Sequence, residues 1–340
     1  MTLFHNNKKL FNTLALFMLL FLAAGCERAL DLKEPADDPI AVFDELWKLI
    51  DEHYALFPVK GVDWQAVYAE HRAKVTASTS NAALFGILND MLQTLQDGHV
   101  SLISATDTAT YDNFYTLFPT NFNFPNILNN YLKNDYKTIG PVLLKVVNNV
   151  GYIYYRSFAN DLTEEQAAAV FKELGQTKGL IVDVRSNTGG KSKNVDRLFS
   201  YFIQEKRLVK YEMKKNGTGH NDFAEPEPYY VMPSGTMYNK PVIVLTNRTC
   251  FSACNDFVLY MSGLINVQLM GDQTGGGGAV PYDYLLVNGW KIQYSASITL
   301  SSNKIQVENG IQPDQNVLIS PIDETNGKDP VIEKAFFSLQ

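Results

Sequence analysis

The sequence has few of the residues that mark several common classes of protein. Among its 340 residues there are only three cysteines and five histidines, and 36 acidic residues outnumber 29 basic ones. So few cysteines exclude a small scaffold held together by disulfides. The net charge of -7 argues against nucleic acid as a partner, because proteins that bind phosphate backbones present a basic face.

Long apolar runs are also absent, except at the N-terminus. There Lys8 and Lys9 precede an apolar stretch over residues 10–24, and small residues lead to Cys26. This pattern is typical of a signal peptide and resembles a bacterial lipoprotein signal, in which Cys26 becomes the acylated first residue. We expect residues 1–25 to be removed and the protein to be lipid-anchored to a membrane in the cell envelope, facing the periplasm or the exterior. An ordinary signal peptide and an uncleaved anchor are the alternatives.

The two remaining cysteines are Cys250 and Cys254. Their four-residue spacing falls on a predicted helix. This favours two small buried side chains over a disulfide bridge.

The first part of the mature chain is predicted to be helical. Residues 26–37 are polar, without an apolar period, and indicate a tether. Residues 38–96 carry apolar side chains at helical spacing in three segments, which predicts a small helical bundle. The first helix begins at Asp38 with Pro39 after it, a common start signal, and Asp63 can cap the second.

Residues 97–340 have a different pattern, in which β-rich runs alternate with helical stretches. This alternation indicates an α/β core built in layers. One helix carries a capping box, with Thr163 as N-cap and Gln166 three residues later. The predicted strands include residues 152–155, 180–182, 242–245, 282–286, 290–294 and 298–300.

His99 is the histidine with the most suggestive position. It follows Asp97 and Gly98 where a predicted helix ends, and a predicted strand over residues 100–103 begins after it. Such a junction can hold a side chain rigidly over a cleft, although a histidine there is structural more often than catalytic. No two histidines have the spacing of metal ligands, and we expect neither a metal nor another cofactor.

Gly189 and Gly190 end a run over residues 185–190 that follows a predicted strand. Two glycines allow a tight turn and leave backbone N–H groups free where an anion can bind. The run lacks the lysine of a phosphate loop and the glycine spacing of a dinucleotide loop. A plain turn and an oxyanion hole therefore both stay open.

Ser252 follows the predicted strand over residues 242–245 and opens a helix. A serine at a sharp strand-to-helix turn is exposed, as in a nucleophile elbow, although the Gly-x-Ser-x-Gly form is absent. The N–H of the next residue, Ala253, can face the same substrate atom. The alternative is that Ser252 is a plain helix N-cap.

These segments together resemble the C-terminal-processing and tricorn-type serine peptidases, and the resemblance extends from about residue 38 to 320. It implies a ClpP/crotonase-like layered αββ core, residues 97–340, preceded by the helical bundle. It also implies Ser252 as nucleophile and an oxyanion hole from the N–H groups of Gly189, Gly190 and Ala253. The matching segments are residues 95–99, 179–190, 251–253, 271–276 and 310–314.

The resemblance also implies which residue is the base. One branch of the family places a lysine after the serine, but that position here is Gly277. The tricorn-like branch uses a histidine from the early motif, which here is His99, as general base. The implied third member is Glu308, although its spacing is one residue shorter than the commonest pattern, and Asp97 and Asp272 are the substitutes.

The insert over residues 105–150 is too short for the PDZ domain with which processing proteases of this family capture free C-termini. The leading hypothesis is thus a PDZ-less, lipid-anchored serine endopeptidase that hydrolyses peptides or unfolded proteins through an acyl-enzyme. The second is a catalytically inactive peptide-binding or scaffolding lipoprotein of the same fold. Its motives are the missing lysine, the unusual spacing of Glu308, and Asn255, where many relatives have glutamate. A crotonase-type acyl-CoA enzyme is supported by fold analogy alone. We expect the insert's aromatic residues to cover the cleft or pack on the bundle: Tyr111, Phe114, Tyr115, Phe118, Phe122 and Phe124.

Overall fold

The structure, a computed structural model, describes residues 38–340. The signal segment, the acylation site Cys26 and the tether predicted over residues 26–37 lie outside the described residues. None of the helices formed by residues 38–340 is long and apolar enough to cross a membrane.

Helices form where the apolar periods and start signals predict them. The side chain of Asp38 accepts a hydrogen bond from the Ile40 N–H, and that of Asp63 accepts one from Ala66, so both predicted N-caps are confirmed. The capping box at Thr163 is present as well. The helices of the described chain are α1 (Pro39–His53), α2 (Phe57–Lys60), α3 (Trp64–Arg72), α4 (Asn81–Gln93), α5 (Asn113–Thr116), α6 (Phe124–Asn126) with a π-helical turn over Ile127–Leu132, α7 (Glu164–Leu174), α8 (Ser192–Phe199) with a 3-10 turn over Ser200–Phe202, α9 (Ala253–Ser262), α10 (Pro321–Thr325) and α11 (Pro330–Ser338).

The strands form three sheets within the described chain. Their bounds are β1 (Ser101–Ile103), β2 (Thr108–Thr110), β3 (Lys137–Ile139), β4 (Val142–Val147), β5 (Val150–Tyr155), β6 (Gly179–Asp183), β7 (Arg207–Lys214), β8 (Glu227–Val231), β9 (Val242–Thr246), β10 (Val267–Gly271), β11 (Pro281–Leu285), β12 (Lys291–Ser295), β13 (Ser297–Ser301) and β14 (Gln315–Asn316). The predicted strands are confirmed within a residue or two of their ends. A seven-stranded sheet has the order β14-β10-β9-β6-β5-β4-β3, a four-stranded sheet has the order β11-β12-β1-β2, and a three-stranded sheet has the order β13-β7-β8.

The large sheet is the middle layer of the core. Its strands β5, β6, β9 and β10 run parallel, and the side chains of β6 alternate between its two faces. Leu180 and Val182 pack in the cluster that includes helices α7, α8 and α9, whereas Ile181 packs with Val331 and Ile332 of α11. The predicted fold class, a layered α/β core preceded by helices, is confirmed.

The N-terminal helices pack on a sheet instead of forming a separate core. Leu46 of α1 and Leu88 of α4 belong to the same buried cluster as Ile292 of β12. The Ala55 N–H also donates to the Ser295 carbonyl at 2.9 Å. The helical segment is therefore fixed to the strand that ends beside Asp97, whose carboxylate accepts a hydrogen bond from the Ser295 hydroxyl at 2.7 Å.

A buried ion cluster joins the C-terminal helix to the segment that leads to the glycine turn. Arg185 is fully buried, and its guanidinium contacts Asp183 at 2.7 Å and Asp329 at 3.0 Å. Asp329 is also the N-cap of α11, since its carboxylate accepts hydrogen bonds from Val331 and Ile332 at 3.1 Å. One carboxylate thus serves both the helix end and the buried charge.

We expect Asp329→Ala to lower the free energy of unfolding by about 3 to 5 kcal/mol, because removing one partner of a buried ion pair leaves its charge poorly compensated. Asp323→Ala is the matched control, since Asp323 completes an exposed capping box at α10. That change should cost only about 1 kcal/mol. Urea unfolding of the two variants measures the two free energies. Equal losses of stability would contradict the conclusion that Asp329 compensates the buried charge of Arg185.

Candidate active site

Ser252 lies in the turn that joins β9 to α9. Its backbone has φ 57° and ψ -126°, a conformation that costs a non-glycine residue about 1–3 kcal/mol. The Ser252 side chain makes no capping hydrogen bond, so it is not the plain N-cap that the sequence left open. A strained strand-to-helix turn that exposes the hydroxyl is the geometry of a nucleophile elbow.

His99 reaches this serine from the start of the core, 153 residues earlier in the chain. Its Nε2 lies 3.0 Å from the Ser252 Oγ, which is hydrogen-bond distance for a base that takes the hydroxyl proton. The His99 backbone N–H donates to the Asp97 carboxylate at 2.8 Å. The structure therefore brings together the nucleophile and the base that the sequence predicts.

The surroundings of His99 keep its ring neutral. Burial lowers the pKa of His99 below 6.5, the nearby Asp97 carboxylate opposes this, and the Lys60 ammonium lowers the pKa further. The ring lies 4.7 Å from the Phe251 ring, centroid to centroid. At pH 7 the imidazole is thus unprotonated and able to act as a base.

The third member of the implied triad is placed differently from the first two. His99 Nδ1 is buried and has no hydrogen-bond partner among the described residues. The Glu308 carboxylate instead contacts the Lys60 ammonium at 3.4 Å and accepts the Gly278 N–H at 3.0 Å. The structure does not give Glu308 the contact with His99 that the resemblance implies.

Neither substitute carboxylate contacts Nδ1 either. Asp97 accepts the His99 backbone N–H and the Ser295 hydroxyl, and Asp272 pairs with Arg248 at 3.2 Å. Burial and the nearby Asp97 raise the pKa of Glu308 to about 8, against the lowering effect of Lys60. Burial thus disfavours a negative charge on Glu308, and the Lys60 ammonium favours it.

The two glycines of the 185–190 run have no room for side chains. A Cβ at Gly189 would lie 2.6 Å from the Phe251 carbonyl oxygen and 2.8 Å from the Ala253 nitrogen. At Gly190, where φ is +136°, a Cβ would lie 2.1 Å from the Ala159 nitrogen. Glycine at position 189 therefore lets this turn lie directly against the Ser252 turn, and glycine at position 190 lets it lie against the backbone of residues 158–159.

The backbone donors of an oxyanion hole are only partly free. The Gly189 N–H donates to the Asn187 side-chain oxygen at 2.9 Å and is already engaged. The N–H groups of Gly190 and Ala253 donate no hydrogen bond within residues 38–340. Of the three predicted donors, these two are available to a substrate oxygen.

Two asparagines that the sequence did not assign organise these turns. Asn187 is fully buried, and besides holding Gly189 it donates to the Tyr155 carbonyl at 2.8 Å. Asn255 accepts the Thr274 hydroxyl at 2.6 Å and donates to the Val307 carbonyl at 3.3 Å. The sequence could have indicated Asn187, because it is a polar residue inside a run that ends in two glycines. The role of Asn255 could not be predicted, because its hydrogen-bond partners are brought together only by the tertiary fold.

A cleft of about 370 Å³ borders Gly98 and Phe251, which are next to His99 and Ser252 in the chain. Three of the insert's aromatic residues, Tyr111, Phe114 and Phe118, line it as expected, and the Phe114 ring stacks on Phe251 at 4.4 Å. The expectation is wrong for two others, Phe122 and Phe124, because their rings pack against Tyr154 of the central sheet instead.

The two cysteines, Cys250 and Cys254, are free and buried, as predicted.

Two family models match this chain. The model of peptidase family S41 matches residues 149–317, and that of the tricorn protease C1 domain matches residues 35–93. The chain belongs to peptidase family S41, and the resemblance inferred from the sequence is confirmed.

Individual relatives agree with this assignment. The crystal structure of a candidate peptidase from Parabacteroides merdae is 42% identical, with a TM-score of 0.85 over 89% of this chain and 96% of that one. The carboxy-terminal processing protease CtpA of Bacillus subtilis is 30% identical over 39% of this chain and 27% of its own length. The tricorn protease of Thermoplasma acidophilum is 29% identical over 55% of this chain and 15% of its own length. The chain thus spans at most a third of the length of the curated relatives that it matches.

The strain at Ser252 makes a prediction about stability. Ser252→Gly should be about 1 kcal/mol more stable to unfolding than Ser252→Ala, because glycine adopts positive φ without a steric penalty. Both variants lack the hydroxyl, so the comparison isolates the backbone. Urea unfolding measures the two free energies. An alanine variant at least as stable as the glycine variant would show that the turn is unstrained.

Proposed function

We propose that this protein is a serine endopeptidase that hydrolyses peptide bonds through an acyl-enzyme on Ser252. The observation that carries the proposal is the 3.0 Å contact between Ser252 Oγ and His99 Nε2 at a strained strand-to-helix turn. Membership of a family of serine peptidases supports the same chemistry. The fold alone would not, since folds host many functions.

In the first half-reaction His99 Nε2 accepts the hydroxyl proton while Ser252 Oγ attacks the scissile carbonyl carbon. The carbonyl oxygen becomes negatively charged, and the N–H groups of Gly190 and Ala253 are the donors that would stabilise it. His99 then gives its proton to the leaving amine. In the second half-reaction His99 activates water, which releases the acyl group and restores the serine.

Peptides or unfolded proteins are the substrates that we propose. The cleft beside Phe251 is lined by aromatic rings and is partly open, which suits an extended chain with an apolar side chain. We also propose that the enzyme is held at a membrane of the cell envelope by a lipid on Cys26, facing the periplasm or the exterior. No specificity for free C-termini is proposed.

One observation favours the second candidate, a peptide-binding or scaffolding protein without turnover. Among residues 38–340, no carboxylate contacts His99 Nδ1, and such a partner usually fixes the tautomer of a catalytic histidine. A protein of this kind would bind peptide equally well with and without Ser252 and His99.

Labelling with a fluorophosphonate separates the two candidates. We expect a single adduct on Ser252 in the chain over residues 27–340, absent in Ser252→Ala and slowed about 100- to 10,000-fold in His99→Ala, since a positioned base contributes that much. Mass spectrometry of the intact protein and of its peptides gives the rate and the site. A folded wild-type protein that forms no adduct would favour the scaffold.

The proposed oxyanion donor at Ala253 can be removed without changing a side chain. Replacing Ala253 by its α-hydroxy acid converts the amide into an ester and deletes only the N–H group. We expect kcat to fall about 100- to 1000-fold, because this is the typical loss for one such donor. Steady-state hydrolysis of an unfolded protein substrate measures it. An unchanged kcat would exclude this N–H from the oxyanion hole.

A further inference from the structure

Lys60 has a position in this site that neither the sequence motifs nor the triad explains. It is the last residue of α2, and Gly61 follows it with φ 67°, so the helix ends there. Its side chain is only 13% exposed although it carries an ammonium group. A buried charge of this kind is expensive unless several partners hold it.

The first partner belongs to the turn that carries the base. Lys60 Nζ donates to the Gln96 carbonyl at 2.9 Å. Gln96 has φ 48°, an unfavourable conformation for a residue other than glycine, and it lies three residues before His99. The ammonium therefore stabilises the point where the chain leaves α4 and turns toward the serine.

The second partner belongs to the loop that supports the nucleophile. Lys60 Nζ lies 3.4 Å from the Glu308 carboxyl, whose other oxygen accepts the Gly278 N–H at 3.0 Å. The Glu308 carbonyl accepts the Gly277 N–H at 3.0 Å, and the Gly276 carbonyl accepts the Ser252 N–H at 2.9 Å. The ion-pair contact with Glu308 and the hydrogen bonds of residues 276–278 thus connect Lys60 to the backbone of Ser252.

We propose that Lys60 is a positioning residue of the active site, which holds the His99 turn and the Ser252 loop at the separation that lets Nε2 meet Oγ. This inference rests on the proposed peptidase function. Lys60 comes from the N-terminal helical segment, so that segment is an integral part of the active site. The ammonium also lowers the proton affinity of the histidine that it supports.

The charge of Lys60 shifts the pKa of His99 in a definite direction. Within residues 38–340 the titratable groups near Lys60 include Asp97, Glu308, Tyr54 and His99. Tyr111 and Arg248 line the same cleft, and Arg248 is paired with Asp272 at 3.2 Å. Removing the Lys60 charge favours protonated imidazole, so the pKa of His99 should rise. The unprotonated base then requires a higher pH.

The test compares Lys60→Met, Lys60→Arg and the control Lys74→Met. Lys74 is an exposed lysine that pairs with Glu70 at 3.1 Å, so its loss removes the same charge away from the site. In Lys60→Met we expect kcat to fall about 10- to 100-fold with a smaller change in KM, because misplaced reacting groups mainly slow the chemical step. The acidic limb of the pH profile should move upward by about one pH unit. Lys60→Arg should return the acidic limb of the pH profile to its wild-type position and restore part of kcat.

NMR titration of His99, assigned by comparison with His99→Gln, keeps this inference separate from the proposed function. If the wild-type protein is not labelled by a fluorophosphonate, the peptidase proposal fails while the His99 titration still decides the role of Lys60. The role proposed for Lys60 would be overturned if the His99 pKa and the pH profile of Lys60→Met matched those of the Lys74→Met control. If Lys60→Met does not fold, Lys60→Gln takes its place, since it also removes the charge but retains a donor for Gln96.

Discussion

The positive φ of Ser252 is the constraint on which the rest of the site depends. A residue in this conformation is kept there only when its neighbours leave no alternative. Here β9 is a buried, central strand, the Ser252 N–H donates to Gly276, and the Phe251 N–H donates to the Asn187 carbonyl at 3.3 Å. Gly189 must also lack a side chain for the two turns to touch. Strain at one residue thus explains why so many turn contacts converge on it.

The site is assembled from the large sheet, the N-terminal helices and the four-stranded sheet. The large sheet carries Ser252 and the glycine turn at the ends of neighbouring strands, β9 and β6, and ligands bind at this end of parallel sheets. The N-terminal helices lead into His99 and contribute Lys60. The four-stranded sheet holds Asp97 in place, because the hydroxyl of Ser295, on β12, donates to the Asp97 carboxylate. A peptidase core without the helical segment would retain His99 but lack Lys60, which supports the turn before it.

The sequence predicts the parts of this arrangement that depend on local signals. Apolar periods and caps such as Asp38 fix the helices, and strand-to-helix turns identify Ser252 and the glycine pair. Contacts that form only in the tertiary fold could not be predicted from the sequence. The one-residue shortening before the Gly-x-x-Pro-Asp segment left the direction of Glu308 open, because such a shift turns a side chain to the other face. In the structure that carboxyl points to Lys60, a residue that no motif singled out.

The histidine is oriented in a way that differs from a carboxylate-bound triad. Asp97 holds the backbone N–H of His99, not its ring, and Nδ1 has no partner in the described chain. The ring is instead confined by Phe251, on which Phe114 of the insert stacks, and by the hydroxyl of Ser252. A carboxylate on Nδ1 would raise the pKa of the histidine, whereas burial and the nearby Lys60 lower it here. Aromatic packing thus confines the His99 ring in place of a carboxylate, and burial lowers its proton affinity where a carboxylate would raise it.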